Sequence, residues 1–409
     1  MSIDRSIGNS SPLIWAGRAV LGITALATAY FAGAQSLATA MRRGHEEQAY
    51  ALAPWDAQII GRYARSIVST APGRSTFSRA HLLARKALTH EATEINAIVA
   101  LGMEAQLRGD VDAARTFFGF AQTLSRRELQ TQLWSIEDAV ARGDVPHALQ
   151  QYDITLRTSK TARGILFPIL ASAIADSAIA EATARTLAGK PRWTSDFIYY
   201  VAKQGTDPVA VTRLFARLKR LGVAVSDAAN AALIEALIGK RLYMQAWSVY
   251  ADFHSGSSRL QSRDPHFANN QGSRSAFDWQ LLGDDGVSTA IERSDNGNVL
   301  TFSTTSGAAG LMARQLQLLP PGDYIVRGRS ARIDLPEAAR PFLQLSCLDG
   351  RPLQKVDLPN SNLQGGGFKG RLMVPRDCPV QYLSLIARPY DMGSRIEGEI
   401  SEIALLPER

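Results

Sequence analysis

The chain is poor in cysteine, with only two in 409 residues. Two cysteines exclude a small domain built on a disulfide framework, and they exclude a four-cysteine zinc or iron–sulfur site. The hydrophobic content of 45% and the charged content of 20% are those of a folded globular chain. At about 100–200 residues per domain, the length predicts two or three domains.

Recognisable catalytic and metal-binding motifs are also missing. The six histidines include no HExxH pair, and no Gly-x-Ser-x-Gly nucleophile motif occurs. The glycine-rich run from Gly365 to Gly370 lacks the spacing of a phosphate-binding loop, so we interpret it as a flexible loop. We therefore expect a protein that is not an enzyme, with no catalytic residue, no metal and no cofactor.

Positive charge is concentrated in the earlier part of the chain. Residues 1–263 carry a net charge of +9, whereas residues 264–409 carry −2. The arginines are spread along helical segments without interleaved aromatic side chains, which is not the pattern of a nucleic-acid-binding surface. We expect no nucleic acid partner, and we attribute the excess to a solvated helix surface near anionic lipid.

One long uncharged run, Ala19–Ala40, is flanked by Arg18 on one side and by Arg42 and Arg43 on the other. As a helix its 22 residues would extend about 33 Å, enough to cross a hydrocarbon core of about 30 Å. An uncleaved membrane anchor is the favoured interpretation. A secretory signal, cleaved after a small-residue site ending at position 34 or 40, and a buried soluble helix are the alternatives.

The two cysteines, Cys347 and Cys378, lie 31 residues apart beside runs that look like β-strands. A disulfide between them predicts an oxidising compartment such as the bacterial periplasm, and hence a chain with its N-terminus inside and its bulk outside. Two buried free thiols are the alternative. The expected location is the bacterial inner membrane, crossed once, with most of the chain in the periplasm.

A repeat of 34 residues appears within a helical region that extends from about residue 75 to 253. The run Arg108–Val111 (RGDV) recurs as Arg142–Val145, and 34 residues is the period of the tetratricopeptide repeat. Segment 94–125 resembles that repeat well, and segments 128–158 and 231–250 resemble it more loosely. The resemblance implies four to six stacked helical hairpins and a surface that binds protein partners.

The remainder of the chain has a β-pattern. Polar residues from His254 onward indicate a linker, and about eight short alternating runs follow it, separated by turn residues. Pro321 and Gly322 precede Tyr324, as in the turn-and-strand of galactose-binding-like jelly rolls, which the 265–409 region resembles. That resemblance implies a carbohydrate-binding-module-like sandwich, with Tyr324 packed in its core.

The candidate binding residues of this sandwich are few. Sugar binding favours an exposed aromatic face with polar side chains around it, so we select Tyr382 and Tyr390, together with Arg327 and Arg329 on one strand face. Both tyrosines could instead belong to the core, and both arginines to a solvated face. The tryptophan Trp279 is expected to be buried.

Taken together, the sequence predicts a multidomain protein. Its parts are a tail with a membrane anchor or signal (1–43), an all-α tetratricopeptide-like solenoid (44–253), a linker (254–264) and an all-β jelly-roll sandwich (265–409). We expect a membrane-anchored periplasmic adaptor that holds an envelope protein complex through its helices and binds polysaccharide or protein through its sandwich. The combination looks like accessory proteins of bacterial exopolysaccharide assembly or export. A polysaccharide-modifying enzyme and a purely structural assembly factor are the alternatives.

Overall fold

The computed structural model describes residues 12–70, 74–268, 274–283, 286–295, 297–390 and 396–408. Within them, an apolar N-terminal helix and further helices occupy the first 250 or so residues, and an antiparallel β-sandwich of two sheets follows. The predicted fold class is therefore confirmed. The chain divides into two compact units, residues 1–163 and 164–409.

The described part of the first unit is helical. Its helices are α1 (Pro12–Met41), α2 (Glu46–Leu52), α3 (Ala57–Thr70), α4 (Arg74–His90), α5 (Ile95–Leu107), α6 (Val111–Leu124), α7 (Leu129–Ala141) and α8 (Val145–Thr158). The bounds of α7 and α8 lie 34 residues after those of α5 and α6 at both ends. The sequence period is thus a period of helical hairpins.

Equivalent caps define the two hairpins. Asp110 begins α6 by accepting a hydrogen bond from a backbone N–H of the first turn, and Asp144 begins α8 in the same way. Gly109 and Gly143 precede them with φ of +80° and +71°, which a residue with a Cβ adopts only with strain. The RGD triplets are therefore turns between helices, each ending in an N-cap.

The two hairpins pack differently at equivalent positions. In the first, Gly102 lets the ring of buried Phe118 approach its backbone, and that ring stacks on Trp134 with centroids 4.7 Å apart. In the second, Ile136 and Tyr152 take the places of Gly102 and Phe118, and both are buried. The second hairpin thus keeps the same backbone period although it has a larger residue, Ile136, on its first helix.

Helix α1 is the one helix, within the described residues, that is long and apolar enough to cross a membrane. Its length and composition suit either a membrane span or a signal sequence. The end of this helix is not free, because Ala38 is fully buried in a small apolar cluster with Ala49, Ala53 and Ile59.

The second unit begins with helices and ends with the sandwich. The helices are α9 (Ala162–Ala173), α10 (Ser177–Ala188), α11 (Thr194–Gln204), α12 (Pro208–Arg220), α13 (Asp227–Gly239) and α14 (Tyr243–Phe253), with a short α15 (Ser361–Gln364) between strands. The strands are β1 (Gln280–Leu281), β2 (Val287–Ser294), β3 (Gly297–Thr304), β4 (Gly310–Gln317), β5 (Gly322–Ala331), β6 (Phe342–Cys347), β7 (Pro352–Asp357), β8 (Gly367–Val374), β9 (Gln381–Ala387) and β10 (Ile396–Pro407).

The strands form two five-stranded antiparallel sheets. The first sheet, sheet A, has the order β1-β4-β9-β6-β7, and the second, sheet B, has the order β2-β3-β10-β5-β8. The described residues form ten strands, two more than the eight expected from sequence; the two that were not predicted are β2 and β7. Both strands lie at the edge of a sheet and contain few buried residues, so their sequences lack the apolar alternation of a strand with one buried face.

The sandwich core lies between the inward faces of the two sheets. Trp279 is buried there as expected, with its ring 5.8 Å from that of Phe267. Tyr324 is also buried, and its hydroxyl donates to the carbonyl of Pro320 in the turn before β5 (2.9 Å). The Pro-Gly turn therefore places an aromatic residue in the core, as the resemblance implied. Part of the Asp295–Gly297 turn, Asn296, lies outside the described residues.

Candidate binding site of the β-sandwich

The segment between α14 and the first strand attaches the last helix to the sandwich. Arg263, in this segment, is almost completely buried. Its guanidinium donates to the carbonyl oxygens of Phe277 (2.7 Å) and Leu316, and to the side-chain oxygen of Gln317 (3.3 Å). A buried guanidinium requires such hydrogen bonds, because without them the free energy lost when the group leaves water would not be compensated.

Aromatic rings from α14 cover the same guanidinium. Its carbon lies 5.2 Å from the ring centroid of Trp247 and 5.9 Å from that of Tyr250. The Tyr250 hydroxyl donates to Asp278 Oδ1 (2.7 Å), so α14 also contacts the sandwich by a hydrogen bond. Burial lowers the pKa of Arg263 to about 10 and leaves the group charged at neutral pH.

Tyr382 lies on β9 of sheet A, at the side where α13 and α14 approach. Its ring is half-buried, and the Arg314 guanidinium lies 4.8 Å from the ring centroid. Burial raises the pKa of Tyr382. The Arg314 charge lowers this pKa, whereas Glu235 and Tyr243 raise it further. This ring is therefore engaged by the protein itself.

Arg327 and Arg329 lie on β5 of the other sheet and are exposed. Arg327 is directly opposite Lys369 of β8, and its Nε lies 3.8 Å from a carboxylate oxygen of Glu402. Tyr390, just after β9, packs partly buried against the sandwich core. The structure thus places Tyr382 and the arginine pair on different sheets and does not bring the four predicted residues into one site.

A cleft of about 500 Å³ lies beside the disulfide of the sandwich. The Cys347–Cys378 disulfide is present, as predicted, and joins the end of β6 to the loop before β9. The other lining residues come from the α13–α14 turn, the first residue of α14 and the two disulfide loops: Arg241, Tyr243, Leu348, Asp349, Asp377, Pro379 and Val380.

Local backbone features position the polar residues of this cleft. Arg241 has φ of +59°, in the turn that ends α13. Asp349 lies in the turn between β6 and β7, where its carboxylate accepts from the backbone N–H of Arg351 (3.0 Å). The Arg351 guanidinium forms an ion pair with Asp377 (2.9 Å) and lowers the pKa of that carboxyl.

The cleft combines an aromatic side chain with charged hydrogen-bonding groups. Tyr243 supplies a half-buried aromatic ring, and Arg241 with the two aspartates supplies a donor and acceptors for hydroxyl groups. The described residues contain no group of three or more side chains able to hold a metal ion. The arrangement offers an aromatic side chain together with hydrogen-bond donors and acceptors around one opening.

The sequence reasoning missed this cleft. The only local signal is that an aspartate lies within two residues of each cysteine, Asp349 after Cys347 and Asp377 before Cys378. The contributions of Arg241 and Tyr243 come from a helical segment about 100 residues earlier, and nothing in their neighbourhood connects them to the disulfide.

Comparison with known proteins gives matches at the level of structure. No protein-family model and no curated protein matches the chain. A carbohydrate-binding module of the β-sandwich superfamily is similar at 12% identity over 35% of this chain and 61% of that chain, with a TM-score of 0.25. The C-terminal module (CBM6) of LamC from Zobellia galactanivorans is similar at 13% identity over 29% of this chain and 90% of that chain (TM-score 0.19).

The enzymatically active domain of tailspike protein 4 of bacteriophage CBA120 is also similar. The identity is 13% over 35% of this chain, and the TM-score is 0.25. The match spans 20% of the tailspike chain. Structural neighbours of this protein thus include carbohydrate-binding modules.

Proposed function

We propose that this chain is a membrane-anchored envelope protein whose sandwich binds glycan and whose helical hairpins bind a protein partner. In this proposal α1 holds the chain in the bacterial inner membrane, and the rest lies in the periplasm. The 34-residue hairpins act as a tetratricopeptide-like scaffold for a polysaccharide assembly or export complex. The proposed domains are those expected from sequence: 1–43, 44–253, 254–264 and 265–409.

The observation that carries the glycan-binding proposal is the cleft beside the disulfide. An aromatic ring, a guanidinium and two carboxylates around one opening provide both stacking and directional hydrogen bonds. Tyr382, Tyr390, Arg327 and Arg329 remain weaker candidates, since they do not share a site. Binding in the cleft would also explain the disulfide beside it, which holds the two aspartate-bearing loops together.

Retention of α1 is favoured over its cleavage. Cleavage after Ala40 would remove Ala38, which is fully buried against α2 and α3. Cleavage after Ala34 would remove Phe31, whose ring lies 5.1 Å from that of Trp55 in an edge-on contact. Either cut would uncover apolar surface of the helical unit, so an anchor fits the packing better than a signal.

Glycan binding is tested with the purified full chain in detergent, on a glycan array and then by calorimetry. We expect Tyr243→Ala to weaken binding about tenfold, the equivalent of about 1.4 kcal/mol. Tyr243→Phe should retain most of the affinity, because the ring remains. Tyr199→Ala removes a partly exposed tyrosine of α11 and serves as the matched control.

Two outcomes would contradict this site. Binding that survives Tyr243→Ala unchanged would place the glycan elsewhere on the sandwich. A chain that binds no glycan, yet is recovered crosslinked to periplasmic proteins, would be a purely structural assembly factor. The full chain is needed because the sandwich shares Arg263 contacts with α14.

An enzyme acting on polysaccharide is the second candidate, because Asp349 and Asp377 line the same cleft. A glycosidase needs one carboxyl that holds its proton near neutral pH. The pKa of Asp377 is instead lowered by Arg351, which keeps this group ionised and makes it a hydrogen-bond acceptor. Release of reducing ends from a bound glycan, lost in Asp349→Asn, would favour the enzyme.

A further inference from the structure

Helix α1 consists of two stretches with different surroundings. Every residue from Trp15 to Gly33 is exposed, on all sides of the helix. Burial begins at Ala34, and both Ala34 and Ala38 are buried. The change in burial occurs within a single turn, so the helix has a sharp boundary between uncovered and covered surface.

The uncovered stretch has the length of a bilayer core. Its 19 residues extend about 28 Å as a helix, and a hydrocarbon core is about 30 Å thick. The covered stretch is already occupied, because Ala38 packs on Ala49 and Ala53 of the α2 region. Lipid therefore has access to the first stretch, and protein covers one face of the second.

Groups suited to a membrane surface gather at the boundary. The ring of Trp55 lies 5.1 Å from that of Phe31, and Trp55 is 40% exposed. One residue further, Asp56 accepts a hydrogen bond from the Gln35 side chain. Tryptophan is enriched at the headgroup level of membranes, where its ring has one apolar and one polar side.

Carboxylates fix the side of the boundary that faces water. A groove beside the Phe31–Trp55 pair is also lined by Asp56 and Glu91. An ionised carboxylate is costly in hydrocarbon, so this groove cannot lie inside the bilayer core. The hydrocarbon must then end between Phe31 and Gln35.

The other end of the uncovered stretch fits the same placement. Trp15 is exposed, and the Arg18 guanidinium lies 6.0 Å from its ring centroid. An arginine one turn inside the end of a membrane span can extend its charged head to the headgroups. Beyond the opposite end, Arg42 and Arg43 lie close enough to Arg62 for their charges to act on it.

We propose that the membrane span is residues 15–33, rather than 19–40, and that Trp55 inserts into the headgroup layer as a second membrane contact. This inference rests on the membrane anchor of the proposed function. The helical unit is then seated on the bilayer surface through two elements, α1 and the α2–α3 turn that carries Trp55, rather than tethered by a flexible stalk.

The register of the span is tested by labelling introduced cysteines in membranes with an impermeant maleimide. The native cysteines are paired in a disulfide and serve as an unreactive background. Ile23→Cys and Leu37→Cys are matched, since both wild-type side chains are exposed on α1. We expect Leu37→Cys to be labelled and Ile23→Cys to be labelled only after detergent is added.

Each result of the labelling is decisive. Protection of both cysteines would overturn the proposed register, because the span would then include residue 37. Labelling of both without detergent would instead show that α1 does not cross the membrane, and this result would contradict the membrane anchor of the proposed function. Only the difference between the two positions supports a boundary near residue 33.

The contact of Trp55 is tested by fluorescence quenching in vesicles made with brominated lipid. Quenching by bromine near the carbonyl end of the acyl chain should exceed quenching by bromine near the methyl end. Trp15 is exposed at the other end of the span and would also be quenched, so the comparison is made in a Trp15→Phe background, in which Trp55→Phe should remove the quenched component. Trp134→Phe removes a buried tryptophan of the same unit and should leave that component unchanged. Equal quenching of Trp15→Phe and of the double variant Trp15→Phe, Trp55→Phe would overturn the contact.

Discussion

The helical hairpins and the β-sandwich differ in the sequence distance over which they are held together. In the hairpins, Phe118 stacks on Trp134 and Gln122 donates to Ser135 (2.6 Å), pairs that are 16 and 13 residues apart. In the sandwich, the Ser262 backbone donates to Leu405 (3.0 Å), which is 143 residues away. Local contacts make a pattern that can be recognised in sequence, whereas distant contacts leave none.

The sharpest test of this difference is Arg263→Ala in the sandwich. Three buried acceptors, on Phe277, Leu316 and Gln317, would lose their donor, so we expect the sandwich to lose about 3–5 kcal/mol of stability. Hydrogen exchange of β4 and β10, measured by mass spectrometry, reports the loss. Arg329→Ala, at an exposed position of β5, should change the stability of the sandwich by less than about 0.5 kcal/mol.

Protection of β4 and β10 that stays at the wild-type level in Arg263→Ala would show that the bonds from this guanidinium are not needed. If Arg263→Ala lowered the protection of α5–α8 as much as that of the strands, the two regions would not differ as described. The stability of the hairpins would then depend on the sandwich.

The corresponding test in the hairpins is Phe118→Ala. The ring is fully buried between Gly102 and Trp134, so its removal leaves a cavity that should cost about 3–5 kcal/mol. Phe120→Ala, two residues away on a half-exposed side chain, is the control and should cost far less. Exchange should rise in α5–α7, and unchanged exchange in those helices would contradict the packing.

Removal of the disulfide should have a slightly smaller effect, confined to the sandwich. Replacing both Cys347 and Cys378 by Ser opens a loop of 31 residues, which should cost about 3–4 kcal/mol in the chain-entropy model. The urea midpoint of the strands should fall, and reductant should reproduce this fall in the wild type. A midpoint insensitive to both treatments would mean that the unfolded chain gains little freedom.

The smallest expected effect compares the two hairpins with each other. Asp110→Ala and Asp144→Ala each remove an N-cap, and each should cost about 1 kcal/mol. Ser at either position should restore most of the loss, because its hydroxyl can also accept the backbone bond. The loss of stability in each variant is measured by hydrogen exchange of α6 and α8. Unequal losses would show that the two N-caps contribute differently although the hairpins share a 34-residue period.

The helical period could be predicted because its determinants are local. Gly109 and Asp110 specify a turn and a cap, and Gly143 and Asp144 specify them again. The second hairpin looked weaker in sequence because Ile136 replaces Gly102. Its helices nevertheless have the same bounds, since the turn and the caps are unchanged.

The sandwich was predictable as a class but not in its full strand count, and the cleft was not predictable. Strand β7 begins with Pro352 and pairs on one side only within the described strands, so its sequence has few apolar positions to reveal it. Tyr382 looked exposed in sequence, yet Arg314 lies over its ring. The cleft depends on Tyr243 meeting the disulfide loops, and such a meeting is set by tertiary packing alone.

The position of β10 in its sheet has a consequence for how the protein is made. This strand is the last of the described elements in the chain, but it lies in the middle of sheet B, between β3 and β5. Until it is synthesised, β3 and β5 have unpaired edges that face each other across a gap one strand wide. Sheet B therefore cannot close until β10 has been synthesised, and closure is the insertion of this last strand between two strands that already have partners on their other sides, β2 and β8.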